Sequence, residues 1–146
     1  MQAMEDGTAR TRLQPDAPDR FVRLRAELGV TSFGLNQIVL RPGQRGRIHR
    51  HERQEEVYLV LDGTLTLLIE GEETELGPGE LIRVAPGVRR QLVNRGPGTL
   101  SLVALGGAGE HVGRDGVAYA RWEDSDGVPP QEMPLPDDLP EAERRS

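Results

Sequence analysis

Apolar and polar residues alternate along short stretches of the chain, and glycine, proline or acidic residues separate these stretches. A period of two is typical of β-strands that pack one face on a core. Two strands are predicted first, in Phe21–Arg25 and Ser32–Leu40. The predicted strands that follow are Arg47–His51, Glu56–Leu61, Thr64–Ile69, Glu73–Leu76, Leu81–Val84, Arg90–Asn94 and Leu100–Leu105. No window sustains a helical period, so the sequence predicts an all-β sandwich or barrel.

Composition divides the 146 residues into three segments. Residues 1–19 are polar and are expected to form a flexible N-terminal segment, and residues 20–122 carry the strand pattern of one barrel domain. Residues 123–146 form an acidic tail with five prolines and little apolar material. Because burial of such a tail gains too little to offset its ordering entropy, we expect a solvated or loosely draped extension whose removal leaves the fold intact.

The tail also accounts for the net charge of −6, because its eight acidic residues are opposed only by Arg144 and Arg145. The rest of the chain is balanced and offers no basic face for phosphates, which argues against nucleic-acid binding. There is no cysteine, which excludes thiolate metal ligands and fits a reducing cytosol. No apolar run is long enough to span a bilayer, so a soluble cytoplasmic protein without a membrane partner is expected.

Three residues in the middle of the chain are candidate metal ligands. His49 and His51 are two positions apart in a predicted strand, so their side chains share one face. Glu56 heads the next strand, where a hairpin-like return can bring its carboxylate beside the imidazoles. Two imidazoles and one carboxylate suit Zn, Fe(II), Ni or Mn and leave coordination positions open. The alternative is that both histidines are surface residues within the charged run from Arg47 to Arg53.

The spacing of these residues resembles the first motif of the cupin superfamily, G(X)5HXH(X)3-4E(X)6G. Gly43, His49, His51, Glu56 and Gly63 meet it in full. The resemblance covers about residues 37–105 and implies a double-stranded β-helix, or jelly-roll, barrel with a site in its cavity. It also implies that the two histidines and the glutamate are the metal ligands.

The second cupin motif, G(X)5PXG(X)2H(X)3N, is met at Gly79, Gly87 and Asn94, but Arg90 stands where the family usually has a third histidine. Arginine has no lone pair with which to bind a metal. Two arrangements remain open. Arg90 either turns aside from a metal whose shell water completes, or pairs with Glu56 and replaces the ion, leaving a positive pocket for an anionic ligand.

Three further features carry weaker predictions. Tyr58 shares the strand face of Glu56 and is, with Arg90, a candidate for substrate binding, although a core aromatic is the alternative. His111, in a glycine-rich stretch, is expected to be solvated. The run Val57–Leu61 is apolar on both faces, and a second subunit is expected to cover the outer one, which predicts a homodimer.

Three functions are compatible with these observations. The first is a small-molecule-binding cupin that binds a divalent metal, Zn, Ni, Mn or Fe, through His49, His51 and Glu56. The second is a metal-dependent enzyme of dioxygenase or isomerase type acting on a small organic substrate. The third is a metal-free binding or structural cupin with a Glu56–Arg90 pair. The fold does not choose among them, and the sequence does not identify the ligand.

Overall fold

The computed structural model describes residues 6–107 and 115–145, which fold mainly into β-strands. The strands are β1 (Phe21–Val22), β2 (Gly34–Leu40), β3 (Ile48–His51), β4 (Glu55–Asp62), β5 (Leu65–Ile69), β6 (Glu72–Leu76), β7 (Leu81–Val84), β8 (Arg90–Val93), β9 (Leu100–Gly107) and β10 (Gly116–Tyr119). The helices are α1 (Leu24–Leu28) and two 3-10 helices, Pro130–Glu132 and Glu141–Glu143.

The strands form two antiparallel five-stranded sheets, in the orders β1-β2-β9-β4-β7 and β10-β3-β8-β5-β6. Strands from β3 to β10 pass repeatedly from one sheet to the other, as in a double-stranded β-helix, which confirms the predicted fold class. Apolar side chains of the two inner faces form the core between the sheets. They are Ile38, Leu40, Tyr58, Val60, Leu65, Leu67, Leu76, Val84, Leu92, Leu100, Leu102 and Ala104.

The predicted strands between residues 47 and 105 all occur, with ends within two residues of those expected. The predicted strand Phe21–Arg25 was wrong beyond Val22, because Leu24–Leu28 is a helix. Its sequence of leucine, arginine, alanine and glutamate favours helix, and Gly29 ends it in a left-handed conformation with φ 73°. One apolar side chain, Leu24, is buried, too few for helical periodicity to be recognised in the sequence.

Helical segments are short throughout the part of the chain that the structure describes. α1 has five residues and each 3-10 helix has three. None of these helices has the length and apolar character needed to cross a membrane.

Strand β10 was not predicted from the sequence. Its four residues lie after a glycine-rich stretch and offer too short an alternation for a strand pattern. It pairs antiparallel with β3, with Gly116 opposite His51 and Ala118 opposite His49. The pairing brings Asp115, the residue just before β10, to the candidate site.

The turn that ends β4 requires glycine for two reasons. Gly63 has φ 82°, a left-handed conformation that other residues adopt at a cost. A Cβ atom at this position would also lie 2.6 Å from the carbonyl oxygen of Thr99. The last glycine of the first motif is therefore a packing and turn residue.

The acidic tail lies on the barrel and is held more firmly than the solvated or loosely draped extension that the sequence predicts. Leu139 is only 3 % exposed, and its N–H donates to the carbonyl of Gly43 at 2.7 Å. Val128 exchanges two backbone hydrogen bonds with Ala118 of β10. Backbone pairing and one apolar anchor hold the segment, and neither is visible in its acidic, proline-rich composition.

Barrel arginines reinforce the attachment of the tail. Arg47 donates from Nε to the carbonyl of Met133 at 2.6 Å, and Arg20 lies 3.6 Å from the carboxylate of Asp138. Part of the negative charge of the tail therefore faces arginines of the barrel.

The N-terminal segment is likewise attached where the structure describes it. The backbone of Gln14 and the side chain of Gln37 exchange two hydrogen bonds of 2.7 and 3.0 Å. Ala17 is buried, and its carbonyl accepts from Arg41 at 3.0 Å. Part of the segment predicted to be flexible thus packs on β2, while the domain boundaries after residues 19 and 122 stay predictions.

The outer face of the sheet that contains β4 is apolar and only partly covered in the single chain. Leu81 is 62 % exposed, and it lies opposite Leu59, which also pairs with Val103. This is the face for which the sequence predicts a second subunit, and the homodimer stays a prediction.

The buried leucine of the tail gives a direct stability test. Leu139→Ala removes a buried apolar side chain and is expected to lower the free energy of unfolding by about 2 kcal/mol. Leu135→Ala is the matched control, because Leu135 lies in the same tail but is 36 % exposed. Urea unfolding of both variants measures the difference, and equal effects would show that Leu139 is not an anchor.

Candidate metal centre

Strands from both sheets bring the three predicted ligands into one group. His49 and His51 project from the same face of β3, and Glu56 lies near the start of β4 in the facing sheet. One ligand atom from each residue lies within 4.8 Å of the others. The two imidazole centroids are 5.3 Å apart, with the rings nearly perpendicular at 88°. The three residues together could therefore hold one metal ion.

The environment of His49 fixes its protonation and its tautomer. Burial lowers its pKa to about 4, with Arg90 and His51 adding to the effect, so the ring is neutral at neutral pH. Its Nδ1 atom lies 3.0 Å from the carbonyl oxygen of Arg47. Because a carbonyl oxygen can only accept, Nδ1 carries the proton and the lone pair is on Nε2.

Asp115 performs the same task for His51. Its Oδ1 lies 2.7 Å from Nδ1 of His51, so a neutral His51 ring also keeps its lone pair on Nε2. The backbone N–H groups of Arg53 and Gln54 both donate to Asp115 Oδ2 at 3.0 Å. Burial would raise the pKa of Asp115, but these N–H groups and His51 hold it below its usual value. A carboxylate that orients a histidine in this way is a common outer partner of metal ligands.

The two carboxylate oxygens of Glu56 have different neighbours. Oε1 accepts from Arg90 Nη2 at 2.9 Å and from the hydroxyl of Tyr58. Oε2 lies 3.7 Å from Nε2 of His51 and is turned toward the imidazoles. Burial would raise the pKa of Glu56, but the two imidazoles, the guanidinium and the Tyr58 hydroxyl lower it, so the group is ionised at neutral pH.

Arg90 has no exposed surface and lies behind Glu56. Besides its bond to Glu56, it donates from Nη1 to the carbonyl of Val88 at 2.8 Å and from Nε to Tyr58 at 3.2 Å. Its full burial does not favour the substrate binding expected of Arg90 from the sequence, and that role stays a prediction. Its contacts make it a positioning residue for the carboxylate of Glu56.

The donor set fits a divalent metal ion. Two neutral imidazole nitrogens and one carboxylate oxygen are ligands that Zn, Ni, Mn and Fe(II) all accept. Arg90 adds a positive charge nearby, but Glu56 Oε1 already neutralises it, and Oε2 stays directed at the site. The Arg90–Glu56 pair does not by itself exclude a metal ion, because the pair and the ion would use different oxygens of one carboxylate.

A comparison with known families agrees with this architecture. The family Cupin_2, described as a cupin domain, matches residues 36–106, which contain both motifs and the three candidate ligands. Residues 36–106 of this protein are therefore a cupin domain.

Proteins similar to this cupin come from several bacteria. Tetracenomycin polyketide synthase protein TcmJ of Streptomyces glaucescens is 32 % identical over 71 residues, 49 % of this chain and 48 % of that protein. The match thus spans about half the length of this relative. A sugar phosphate isomerase from Silicibacter pomeroyi has a TM-score of 0.61 and 23 % identity, with 83 % of each chain covered. A cupin protein of Bacteroides fragilis has a TM-score of 0.58 and 22 % identity, covering 80 % of this chain and 97 % of its own. These two structures show the fold.

A cavity of about 300 Å³ lies beside the ligands of this cupin, and we call it the inner cavity. One side of this cavity is apolar, and the side next to the candidate ligands is polar. The apolar wall includes Phe21, Ile38, Leu40, Leu92 and Ala104, and the polar edge includes Arg47, His49, His51 and Glu56. Tyr58 also lines it, so its predicted contact with a substrate stays a prediction. Pro130 of the tail also lines it.

Asp115 was missed by sequence reasoning, because it is 64 residues from His51 in sequence and precedes an unpredicted strand. The available signal was weak, a single acid between glycine-rich and apolar residues. His111, expected to be solvated, lies outside the described residues.

Replacement of Asp115 tests the support of the cupin site. Asp115→Asn puts an amide NH₂ among N–H donors and loosens the orientation of His51, so metal affinity is expected to fall about 10- to 100-fold. Asp126→Asn is the control, because it removes the same charge at an exposed residue. Equilibrium dialysis measures the affinity, and a metal affinity equal to that of the control would contradict the assignment.

Proposed function

We propose that this cupin binds a small organic molecule in its barrel cavity, beside a divalent metal ion held by His49, His51 and Glu56. One observation carries the proposal. Both histidines have their Nδ1 atoms engaged by acceptors, and Glu56 Oε2 is turned toward them, so three lone-pair donors converge on one point. Hydrogen bonds that orient histidine ligands in this way are expected at metal sites.

A bound metal would supply positive charge with open coordination positions for oxygen atoms of a ligand. The protein's own residues account for the rest of the site. Asp115 holds the His51 ring, and Arg90 with Tyr58 fixes the plane of the Glu56 carboxylate. Burial keeps His49 neutral, so that it needs no deprotonation before binding.

The cavity supports a small organic ligand. Its volume of about 300 Å³ is at the lower end of the range for small-molecule sites, and its wall is mainly apolar with polar groups at one side. A ligand with an apolar body and an oxygen-bearing end would match this division. The cytoplasmic location and the homodimer are proposed with it, on the absence of cysteine and on the apolar outer face.

Metal uptake by matched glutamate variants tests the proposal. Chelator-treated protein is dialysed against Zn, Ni, Mn or Fe(II), and bound metal is measured by elemental analysis. Glu56→Gln is expected to weaken binding at least tenfold, because it removes a ligand charge. Glu55→Gln is the control, since Glu55 is exposed and pairs with Arg83 at 2.6 Å.

The expected stoichiometry is one ion per chain in the wild type and in Glu55→Gln. Failure of every ion to bind the wild type would refute the metal site. So would equal affinities of the two variants.

A metal-free function is the second candidate, favoured by the buried 2.9 Å pair between Arg90 and Glu56. A fixed cation already compensates the carboxylate, so the fold does not need an ion to neutralise Glu56. A metal-dependent enzyme of dioxygenase or isomerase type is the third candidate. The name of the Silicibacter pomeroyi protein, a sugar phosphate isomerase, is compatible with it, and the shared fold does not establish it.

Replacement of the buried arginine tests its effect on metal affinity and on the stability of the metal-free protein. Arg90→His exchanges a cation for a neutral donor and is expected to raise metal affinity about tenfold or more. Without metal it should lower the free energy of unfolding by about 3 kcal/mol, because Glu56 loses its buried partner. Dialysis and urea unfolding measure the two effects.

Arg89→His is the control for this variant. Arg89 is the neighbouring residue, but its guanidinium lies 3.8 Å from the centre of the Tyr119 ring, away from Glu56. The metal affinity of the Arg89→His variant is expected to equal that of the wild type. Unchanged affinity in Arg90→His as well would show that Arg90 does not oppose metal binding at this site.

A further inference from the structure

A second cavity of about 440 Å³ adjoins the candidate metal centre, and we call it the outer cavity. The two cavities share His51, Glu56 and Pro130 in their lining. A molecule whose one end contacts the metal ligands could therefore extend into the outer cavity. The residues that line the outer cavity then decide which chemical group the other end of the molecule must carry.

The carboxylates of the outer cavity already have partners. Asp115 accepts from His51, from two backbone N–H groups and from the Gln54 side chain at 2.9 Å. Glu56 accepts from Arg90 and Tyr58. Neither acid is therefore available to neutralise a further cation at this wall.

The cations of the outer cavity, in contrast, lack acidic partners. Arg23 and Arg25, on either side of Leu24, both line it, and within residues 6–107 and 115–145 neither forms a salt bridge or a side-chain hydrogen bond. The Nε atom of Arg25 is also buried without an acceptor. Arg25 as a whole is half-buried and lines the cavity, so the accessible N–H groups of its guanidinium could donate to an oxyanion of a ligand.

We infer that Arg25, assisted by Arg23, binds the carboxylate or phosphate group of an organic anion whose other end lies at the His49, His51 and Glu56 site. The inference rests on the proposed function, because it takes the barrel cavity as the ligand site. It narrows the ligand to a class, a small organic oxyanion. Arginine is suited to this role because its planar set of donors matches the oxygens of carboxylate and phosphate.

Anion binding by metal-free protein tests the inference apart from the metal. Chelator-treated wild type and variants are dialysed at constant ionic strength against inorganic phosphate and, separately, against benzoate. At least one anion is expected to bind in the millimolar range or tighter, and the tighter one identifies the group that the subsite prefers. Arg25→Gln is expected to weaken the binding of that anion at least tenfold.

Two further variants separate charge from structure. Arg25→Lys keeps the charge and should lose less affinity than Arg25→Gln. Arg121→Gln removes the same charge from a side chain that is 77 % exposed and lines neither cavity, and it should bind as the wild type does. Circular dichroism of each variant verifies folding. If Arg25→Gln unfolds, Arg23→Gln provides the test instead, because Arg23 is exposed.

The result overturns the inference if neither anion binds at tens of millimolar, or if Arg25→Gln and Arg121→Gln bind equally. Metal uptake by the same preparations is measured in parallel. Normal metal uptake without anion binding would refute this subsite and leave the proposed metal site standing. Arg25-dependent anion binding without metal uptake would refute the metal site and leave the subsite standing.

Discussion

The ion pair between Glu56 and Arg90 is the interaction on which the interior of this barrel depends. Glu56 belongs to β4 and Arg90 to β8, so the 2.9 Å contact joins the two sheets across their inner faces. Arg90 has no exposed surface, and an unpaired guanidinium in that place would cost about 3 to 5 kcal/mol. Tyr58 completes the arrangement by donating to Glu56 and accepting from Arg90.

This pair changes the electrostatics of the site without removing its ligands. Arg90 engages one carboxylate oxygen of Glu56, and the other faces His51 at 3.7 Å. An ion held there would face a carboxylate whose charge is shared with a guanidinium, so weaker binding is expected than in a site with a third histidine. Arg90 would therefore adjust the affinity for an ion, whereas the orientation of the two imidazoles depends on Asp115 and on the Arg47 carbonyl.

Segments at both ends of the chain complete the cavities that the barrel begins. α1 supplies Arg25, and the C-terminal tail supplies Pro130, which approaches Gly116 so closely that a Cβ there would lie 3.0 Å from its ring. The tail is held in place by Leu139 and by the pairing of Val128 with β10. The barrel alone thus provides the candidate metal ligands, and the added segments provide much of the surface that a bound molecule would meet.

The sequence by itself determined the features that depend on local spacing. The period of two placed His49 and His51 on one face, because alternation along a strand is set within a few residues. The spacing of the cupin motif selected Glu56. The short strands and their turns were predictable for the same reason. Arg90 could be assigned to the barrel interior by register, but the sequence left open whether it turns aside from a metal or pairs with Glu56.

The tertiary structure decided everything that depends on pairing between distant segments. Asp115 reaches His51 only because β10 pairs with β3, and no local pattern predicts that register. Arg25 belongs to a helix where alternation predicted a strand, since both patterns fit so few residues. Leu139 is buried because the barrel surface receives it, which the acidic composition of the tail conceals. Such contacts depend on the free energy of the whole packed chain, and a sequence read in short windows does not contain it.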